Sequence, residues 1–324
     1  MGIVVIGAAF VDIKGFPYDV YIPDGRNAGR VEYVHGGVAR NVVEDIANVE
    51  LRPTYIGLVD DTPLGESVLQ KLKNHKVNCE YVRKVPDGMG TWLAVFDNNG
   101  DVAGSISKSP DFSPVLDVFE KQGDEIFANA DAVVLQVDLS KEIVKKVIEL
   151  SHKYGKKIFA LVSNMSIAAE RRDFLQDFDC FICNQQEAGI LFSDDYSETP
   201  REELKYIISE KVMKAKIPGM IVTMGGEGAV YATMNGEKGA CPARKVIVKD
   251  TTGAGDAFCA GASIGLTYGK TFAETIEIGS HLAASVMTSS ENVCPRFLPQ
   301  EFGIDIEVTE DLRKVFDKGN QSNG

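Results

Sequence analysis

The chain has no surplus of positive charge, no apolar run long enough to cross a bilayer, and no cysteine arrangement that reads as a metal or disulfide framework. It carries 34 Lys and Arg against 47 Asp and Glu, a formal net charge of −13. That balance argues against a nucleic-acid backbone or an anionic membrane surface as the main partner. No apolar stretch approaches the roughly 20 residues a membrane-spanning helix needs. Met1-Gly-Ile-Val-Val-Ile6 begins directly as a strand pattern, with no basic segment or cleavage site before it, so the expected location is the cytoplasm. Most of the six cysteines lie inside apolar runs, where a thiol behaves as a small hydrophobe. Cys180 and Cys183 have C-x-x-C spacing but no second pair nearby. Alternation along a strand would send their thiols to opposite faces, so no zinc or redox site is expected there. The residues after the first strand read Gly7-Ala-Ala-Phe-Val-Asp12 and lack G-x-G-x-x-G, which counts against a dinucleotide-dependent oxidoreductase. Internal repeats and low-complexity linkers are also missing.

What is present is an ordinary globular composition, 44% hydrophobic and 25% charged over 324 residues, enough to bury a full core. Apolar runs alternate with helical periodicity for most of the length. Strands are expected at 3–8, 54–58, 132–136, 157–162, 180–183, 219–223 and 245–248. Helices are expected at 39–49, 64–74, 141–152, 201–215, 255–267 and 272–289. This order predicts an α/β fold, a mostly parallel central sheet flanked by helices, with ligands at the carboxyl ends of the strands. Two regions break the rhythm. Residues 14–34 and 82–108 hold short β-prone segments punctuated by Pro86-Asp-Gly88 and Asp97-Asn-Asn-Gly100, and together predict a small antiparallel β lid. One domain is expected over 1–317, with a disordered polar tail over 318–324.

The most informative stretch is Asp250-Thr-Thr-Gly-Ala-Gly-Asp256, between an apolar run and the helical pattern Ala257, Phe258, Ala260, Gly261, Ile264. Free backbone N–H groups and the positive end of the helix dipole make such a turn an anion site. Gly253 and Gly255 let the backbone approach a phosphate closely. Asp256 falls in the first helical turn, where a carboxylate beside a phosphate cradle suits proton abstraction from an attacking hydroxyl. Alternatively, Asp256 only caps its own helix and the glycines only bend the chain.

Four further clusters stand where phosphoryl transfer would need them. Thr223-Met-Gly-Gly-Glu-Gly228 follows a buried strand and could wrap a nucleotide, though a plain hairpin gives the same letters. Asn184-Gln-Gln-Glu187 opens a helix; the pair is either a capping box or, through Glu187, a holder of the water shell of Mg²⁺. Gly36-Gly-Val-Ala-Arg-Asn41 places a glycine pair before a helix, and Asp12 lies past the first strand. Asp12 and Asn41 could grip vicinal sugar hydroxyls, or Asp12 is an ordinary loop carboxylate.

Taken in order and spacing, these motifs make residues 3–294 similar to the ribokinase/PfkB family of carbohydrate and nucleoside kinases. The resemblance implies a ribokinase-like fold, ATP and Mg²⁺ as cofactors, and transfer of the γ-phosphoryl group to a hydroxymethyl oxygen. It implies Asp256 as the base, and Gly253, Ala254 and Gly255 as an anion hole. Asp12, Gly36, Gly37 and Asn41 would hold the sugar. Asn184, Thr223, Gly225, Gly226 and Gly228 would border ATP. Glu187 would organise Mg²⁺ through water, and Asp250 and Thr252 would help hold a monovalent cation such as K⁺. Gly36-Gly-Val-Ala-Arg-Asn41 resembles the pseudouridine kinase branch, as does the placing of Gly104-Ser-Ile-Ser-Lys-Ser-Pro-Asp-Phe112. Pseudouridine is therefore the expected acceptor; ribose, fructose, ketodeoxygluconate and adenosine-like nucleosides stay open, as does a non-catalytic binding protein on the same scaffold. A second subunit could cover the open edges of the lid.

Overall fold

The computed structural model describes residues 2–305, so the expected tail at 318–324 and the last stretch of the expected domain lie outside the described residues. In chain order, β1 (Ile3–Ile6), β2 (Phe10–Pro17) and β3 (Gly29–Gly36) precede α1 (Val38–Asn48), β4 (Thr54–Ile56), β5 (Leu58–Asp60) and α2 (Pro63–Asn74). Next come β6 (Arg83–Val85), β7 (Gly90–Phe96), β8 (Val102–Lys108) and α3 (Leu116–Asn129). Strict alternation follows through β9 (Ala132–Gln136), α4 (Lys141–Lys153), β10 (Ile158–Leu161), α5 (Met165–Ala168), β11 (Cys180–Asn184) and α6 (Gln185–Phe192). The remaining elements are α7 (Arg201–Ala215), β12 (Gly219–Thr223), β13 (Ala229–Thr233), β14 (Lys238–Cys241), α8 (Ala254–Thr267) and α9 (Phe272–Met287).

The main sheet has the order β14-β13-β12-β11-β10-β9-β1-β4. It is parallel except for β13 and β14. Period-two side-chain alternation divides the core. Val4, Ile6, Val133 and Leu135 face one buried layer, while Ile3, Val5, Val134 and Phe159 face the other. Each large apolar side chain so buried contributes about 1.5–3 kcal/mol, and Phe159→Ala, which also leaves a cavity, would cost about 3–5 kcal/mol. Cys180 and Cys183 fall on opposite sides of this sheet, as alternation requires. Helix starts follow local chemistry: Thr62 and Ser140 cap α2 and α4, and Thr271 with Glu274 forms a capping box on α9. Helix α8 packs tightly on α9 because both are glycine at the crossing; a Cβ on Gly261 would stand 2.7 Å from the Gly279 Cα.

A second sheet, β3-β2-β7-β8, forms the lid. It is mixed, not antiparallel as expected, because β2 runs parallel to β7. It also starts earlier, at Phe10, and ends its second strand at Gly36, so Asp12 lies on a lid strand instead of in a loop. The segment Arg83–Val85 belongs elsewhere, pairing with β5. The expected strand at 54–58 is broken at Gly57, where Tyr55 folds over the backbone and β5 leaves the main sheet.

The expected strand at 245–248 does not form; residues 242–250 are irregular. Their alternating apolar residues serve a cavity wall instead of a ladder. Val246 and Val248 line that cavity, while Ile247 is 89% exposed. No helix of the described residues is long and apolar enough to cross a membrane.

Candidate active site

The site lies at the carboxyl ends of the parallel strands, where α8 begins. Gly253 is the N-cap, with φ +83°, and a Cβ there would approach the Asn292 carbonyl oxygen to 2.1 Å. Only glycine fits both the backbone angle and the space. Ala254, Gly255 and Asp256 are the first three helical residues. The Ala254 N–H is partly committed, donating to the Thr251 carbonyl at 3.2 Å. The N–H groups of Gly255 and Asp256 have no acceptor among the described residues and face outward at the positive end of the helix. A Cβ on Gly255 would meet nothing within 4 Å, so the space beside its Cα is open.

The Asp256 carboxyl is not spent on capping its own helix. Its Oδ2 accepts a hydrogen bond from Asn41 Nδ2 at 2.5 Å, across 215 residues of sequence. Burial pushes its pKa up to about 6; the Asn41 bond and Arg40 pull the other way, while Asp12 and Glu187 add to the rise. Asn41 stands in the first turn of α1, which Gly37 starts with φ +94°. The Asp12 carboxylate reaches the same place from β2, close enough that a Cβ on Gly36 would come within 2.6 Å of its Oδ1. Burial raises the Asp12 pKa too, against the lowering effect of Lys14 and Arg40. Asp12, Gly36, Gly37, Asn41, Gly253, Gly255 and Asp256 are thus brought together.

On the other side, Asn184 and Thr223 are direct partners at the ends of β11 and β12. Asn184 and Glu187 do form the capping box: Asn184 Oδ1 accepts from the Glu187 N–H at 2.8 Å, and Glu187 Oε2 accepts from the Asn184 N–H at 2.7 Å. The Glu187 pKa is nonetheless raised, by burial first and then by nearby Asp138. Thr223, Gly225, Gly226 and Gly228 line a cavity of about 590 Å³ with Val246, Val248, Ala254, Gly255, Phe258 and Met287. This mouth of glycines over a largely apolar floor suits a flat heterocycle with phosphates pointing toward α8. Thr223 and Gly225 also border a second hollow with Asn184, Gln185 and Ser197. Asp250 and Thr252 form a turn, the Thr252 N–H donating to Asp250 Oδ1 at 2.8 Å; that bond holds the Asp250 carboxyl below its usual range.

Sequence reasoning missed a third cavity, of about 410 Å³, between the lid and the ends of β1, β9 and β10. Its walls include Phe10, Ser107, Asp111, Asp138, Ser163 and Asn164. Register puts Asp12, Trp92 and Ser107 in one row across the lid, so the lid face that carries Asp12 also carries an aromatic ring. Alternation within 10–16 and 90–96 was readable; the pairing that aligns the two segments was not. Among the described residues, no group of three or more His, Cys, Asp or Glu could hold a metal ion by itself.

A family model described as pfkB family carbohydrate kinase matches residues 2–295. A guanosine-inosine kinase of Exiguobacterium acetylicum is 36% identical over 292 residues, covering 90% of this chain and 95% of that protein. A pseudouridine kinase of Escherichia coli (strain K12) is 22% identical over 287 residues, covering 88% and 90%. Among solved structures, an Arabidopsis thaliana ribokinase complexed with ribose and ATP superposes with a TM-score of 0.79 at 20% identity, covering 93% of this chain and 97% of that one.

Proposed function

This chain belongs to the pfkB family of carbohydrate kinases and is an ATP-dependent sugar or nucleoside kinase; we propose that its acceptor is a purine ribonucleoside, phosphorylated on the hydroxymethyl oxygen of its ribose. The observation that carries the catalytic part is the 2.5 Å bond from Asn41 to Asp256, beside free amides at a helix start. Asp256 Oδ2 is fixed by that bond, which leaves Oδ1 to receive the proton of the attacking hydroxyl. The hydroxyl oxygen forms its bond to the γ-phosphorus as the bond to the β,γ-bridging oxygen breaks, and ADP leaves. The N–H groups of Gly255 and Asp256, with Gly253 and Ala254 shaping the loop, meet the charge on the equatorial oxygens. Thr223, Gly225, Gly226, Gly228 and Asn184 border the nucleotide. Asp12, with Gly36 and Gly37 giving it room and Asn41 beside it, holds the ribose. The lid excludes water that would otherwise hydrolyse ATP.

Mg²⁺ fits this donor set. One half-buried carboxylate, Glu187, lies near other acids, and the remaining ligands would be phosphate oxygens and water. When bound, the ion neutralises charge on the β- and γ-phosphates. The ionised Asp250, turned by Thr252, is open to a monovalent cation, and a potassium titration of ADP release checks it.

The nucleoside reading rests on the 36% relative and on Trp92, which pairs across the lid with Asp12 and with Ser107 of the 410 Å³ cavity wall; both suit an acceptor larger than a bare pentose. The Gly36–Asn41 signature favours pseudouridine as a second reading. ADP release measured with guanosine, inosine, adenosine, pseudouridine, ribose and fructose decides between them. Turnover with ribose or fructose alone would contradict the nucleoside reading, and a thermal shift without turnover would contradict catalysis. The lid face opposite Asp12 aligns Tyr33, Ile13, Leu93 and Ile106, with Tyr33 64% and Ile106 69% exposed. A second copy covering this row would form a homodimer, which light scattering on the purified chain tests.

A further inference from the structure

We propose that Arg40 is a positioning residue for the phosphoryl-transfer step, acting through Asn41 to present Asp256 in the right orientation. A carboxamide can be turned by 180°, exchanging an acceptor for a donor at little steric cost. Whether Asn41 offers NH₂ or C=O to Asp256 therefore depends on its other neighbours. Arg40 is fully buried, and its guanidinium donates to four oxygens: Gly36 O at 3.2 Å, His35 O at 2.5 Å, Glu44 Oε2 at 2.5 Å, and Asn41 Oδ1. A guanidinium has donors only, so the amide oxygen must face it. Asn292 adds a second donor toward the same oxygen at 3.4 Å, its NH₂ pinned by donation to His35 O at 2.8 Å. With the oxygen so held, Nδ2 is left to donate to Asp256 Oδ2. The flipped amide would set NH₂ against two donors and an oxygen against a carboxylate.

Arg40 is locked in turn by Glu44, whose other oxygen lies 3.2 Å from Lys71 Nζ and 3.6 Å from His75 Nε2. This arrangement ties α1 to the end of α2, so a fork of donors held from two helices fixes an acid on a third. The charged and titratable groups around Asp256 are Arg40 and Asp45 from α1, Asp12 from β2, Glu187 from α6 and Cys259 on its own helix. Among the described residues, Arg40 is the cation that acts on Asp256.

The inference rests on Asp256 being the base, and the test separates the two. The full-length chain is compared with Arg40→Met/Glu44→Gln, which leaves no carboxylate buried without its partner, with Arg40→Lys, which keeps the charge but loses the fork, and with Asp256→Asn. In the double variant kcat should fall about 10- to 100-fold, the scale of a misplaced catalytic group, with KM for ATP within about twofold of the parent on the same principle. The acid limb of kcat/KM should move up by about one unit, because a donor and a cation are both withdrawn from the carboxylate. Arg40→Lys should show a smaller fall in kcat. A double variant with parental kcat and an unmoved limb overturns the inference, as does activity lost only in proportion to unfolded protein. If the double variant does not fold, Arg40→Lys decides: folded protein with parental kcat and limb overturns it. An active Asp256→Asn removes the base reading, whereas an inactive one beside an unaltered Arg40 series removes only this inference.

Discussion

At the end of the cleft assigned to ATP, the walls are backbone amides, glycines and an irregular apolar segment; at the end assigned to the acceptor, they are buried polar side chains bonded to one another. The first end needs little preorganisation by side chains, because a helix start already supplies oriented N–H groups. At the second end, Asp12 comes from the lid, Asn41 and Arg40 from α1, and Asp256 from α8, so its geometry depends on tertiary packing. The difference teaches where fragility lies. Changes at the nucleotide end should act mainly through shape, whereas changes at the acceptor end should act through charge and hydrogen bonding.

The largest effect should come from Asp256→Asn, which removes the proposed base and its charged acceptor together while leaving the core untouched. It should lower kcat by on the order of 10³ or more, measured as ADP release. The same variant should be no less stable to heat. Raised to about 6 from an ordinary 3.8, the folded-state pKa exceeds the unfolded one. The native state therefore binds the proton more tightly, and stability falls as pH rises through that window. Removing the ionisable group should recover about 1 kcal/mol at pH 7, discounted for partial exposure.

Next, Gly255→Ala probes the backbone end. Its Cβ enters open space in the free protein, so folding should be normal or slightly better. On the proposed mechanism the methyl group would enter the space assigned to the transferred phosphoryl, and kcat should fall about 100-fold. Gly253→Ala should instead lower the thermal midpoint, since it meets the Asn292 carbonyl and demands positive φ. If both glycines behaved alike, the contrast between shape and chemistry would be lost.

Asp12→Ala should raise the acceptor KM by about 10- to 100-fold, the worth of a charge-assisted hydrogen bond, with the ATP KM unchanged. The smallest change is expected from Val246→Ser in the apolar wall. There the ATP KM should rise only a few-fold for the lost burial, and the acceptor KM should stay put.

The same contrast explains what could be read from sequence. The run Asp250 to Asp256, Asn184 with Glu187, and Thr223 to Gly228 are local, so each motif carries its own geometry, and the β/α periodicity located the six parallel strands of the main sheet but not its antiparallel edge strands β13 and β14. The stretch 245–248, expected as a strand, is irregular: Val246 and Val248 turn to a cavity wall while Ile247 points to solvent, a two-residue alternation that looks like a ladder in the sequence. The parallel pairing of β2 with β7 was not legible either. It depends on contacts between segments about 80 residues apart, and it alone puts Trp92 beside Asp12. Arg40 stood in a motif already singled out, yet its role depends on Asn292 and Glu44, which no local pattern connects to Asp256.

The most direct test of the central claim is the pH dependence of kcat/KM for the nucleoside acceptor in the parent chain. A carboxyl acting as base with its pKa near 6 predicts a rate that climbs tenfold per pH unit below that value and levels off above it, with the climb absent in Asp256→Asn. A profile flat from pH 5 to 8, or the same climb retained in Asp256→Asn, would contradict the account.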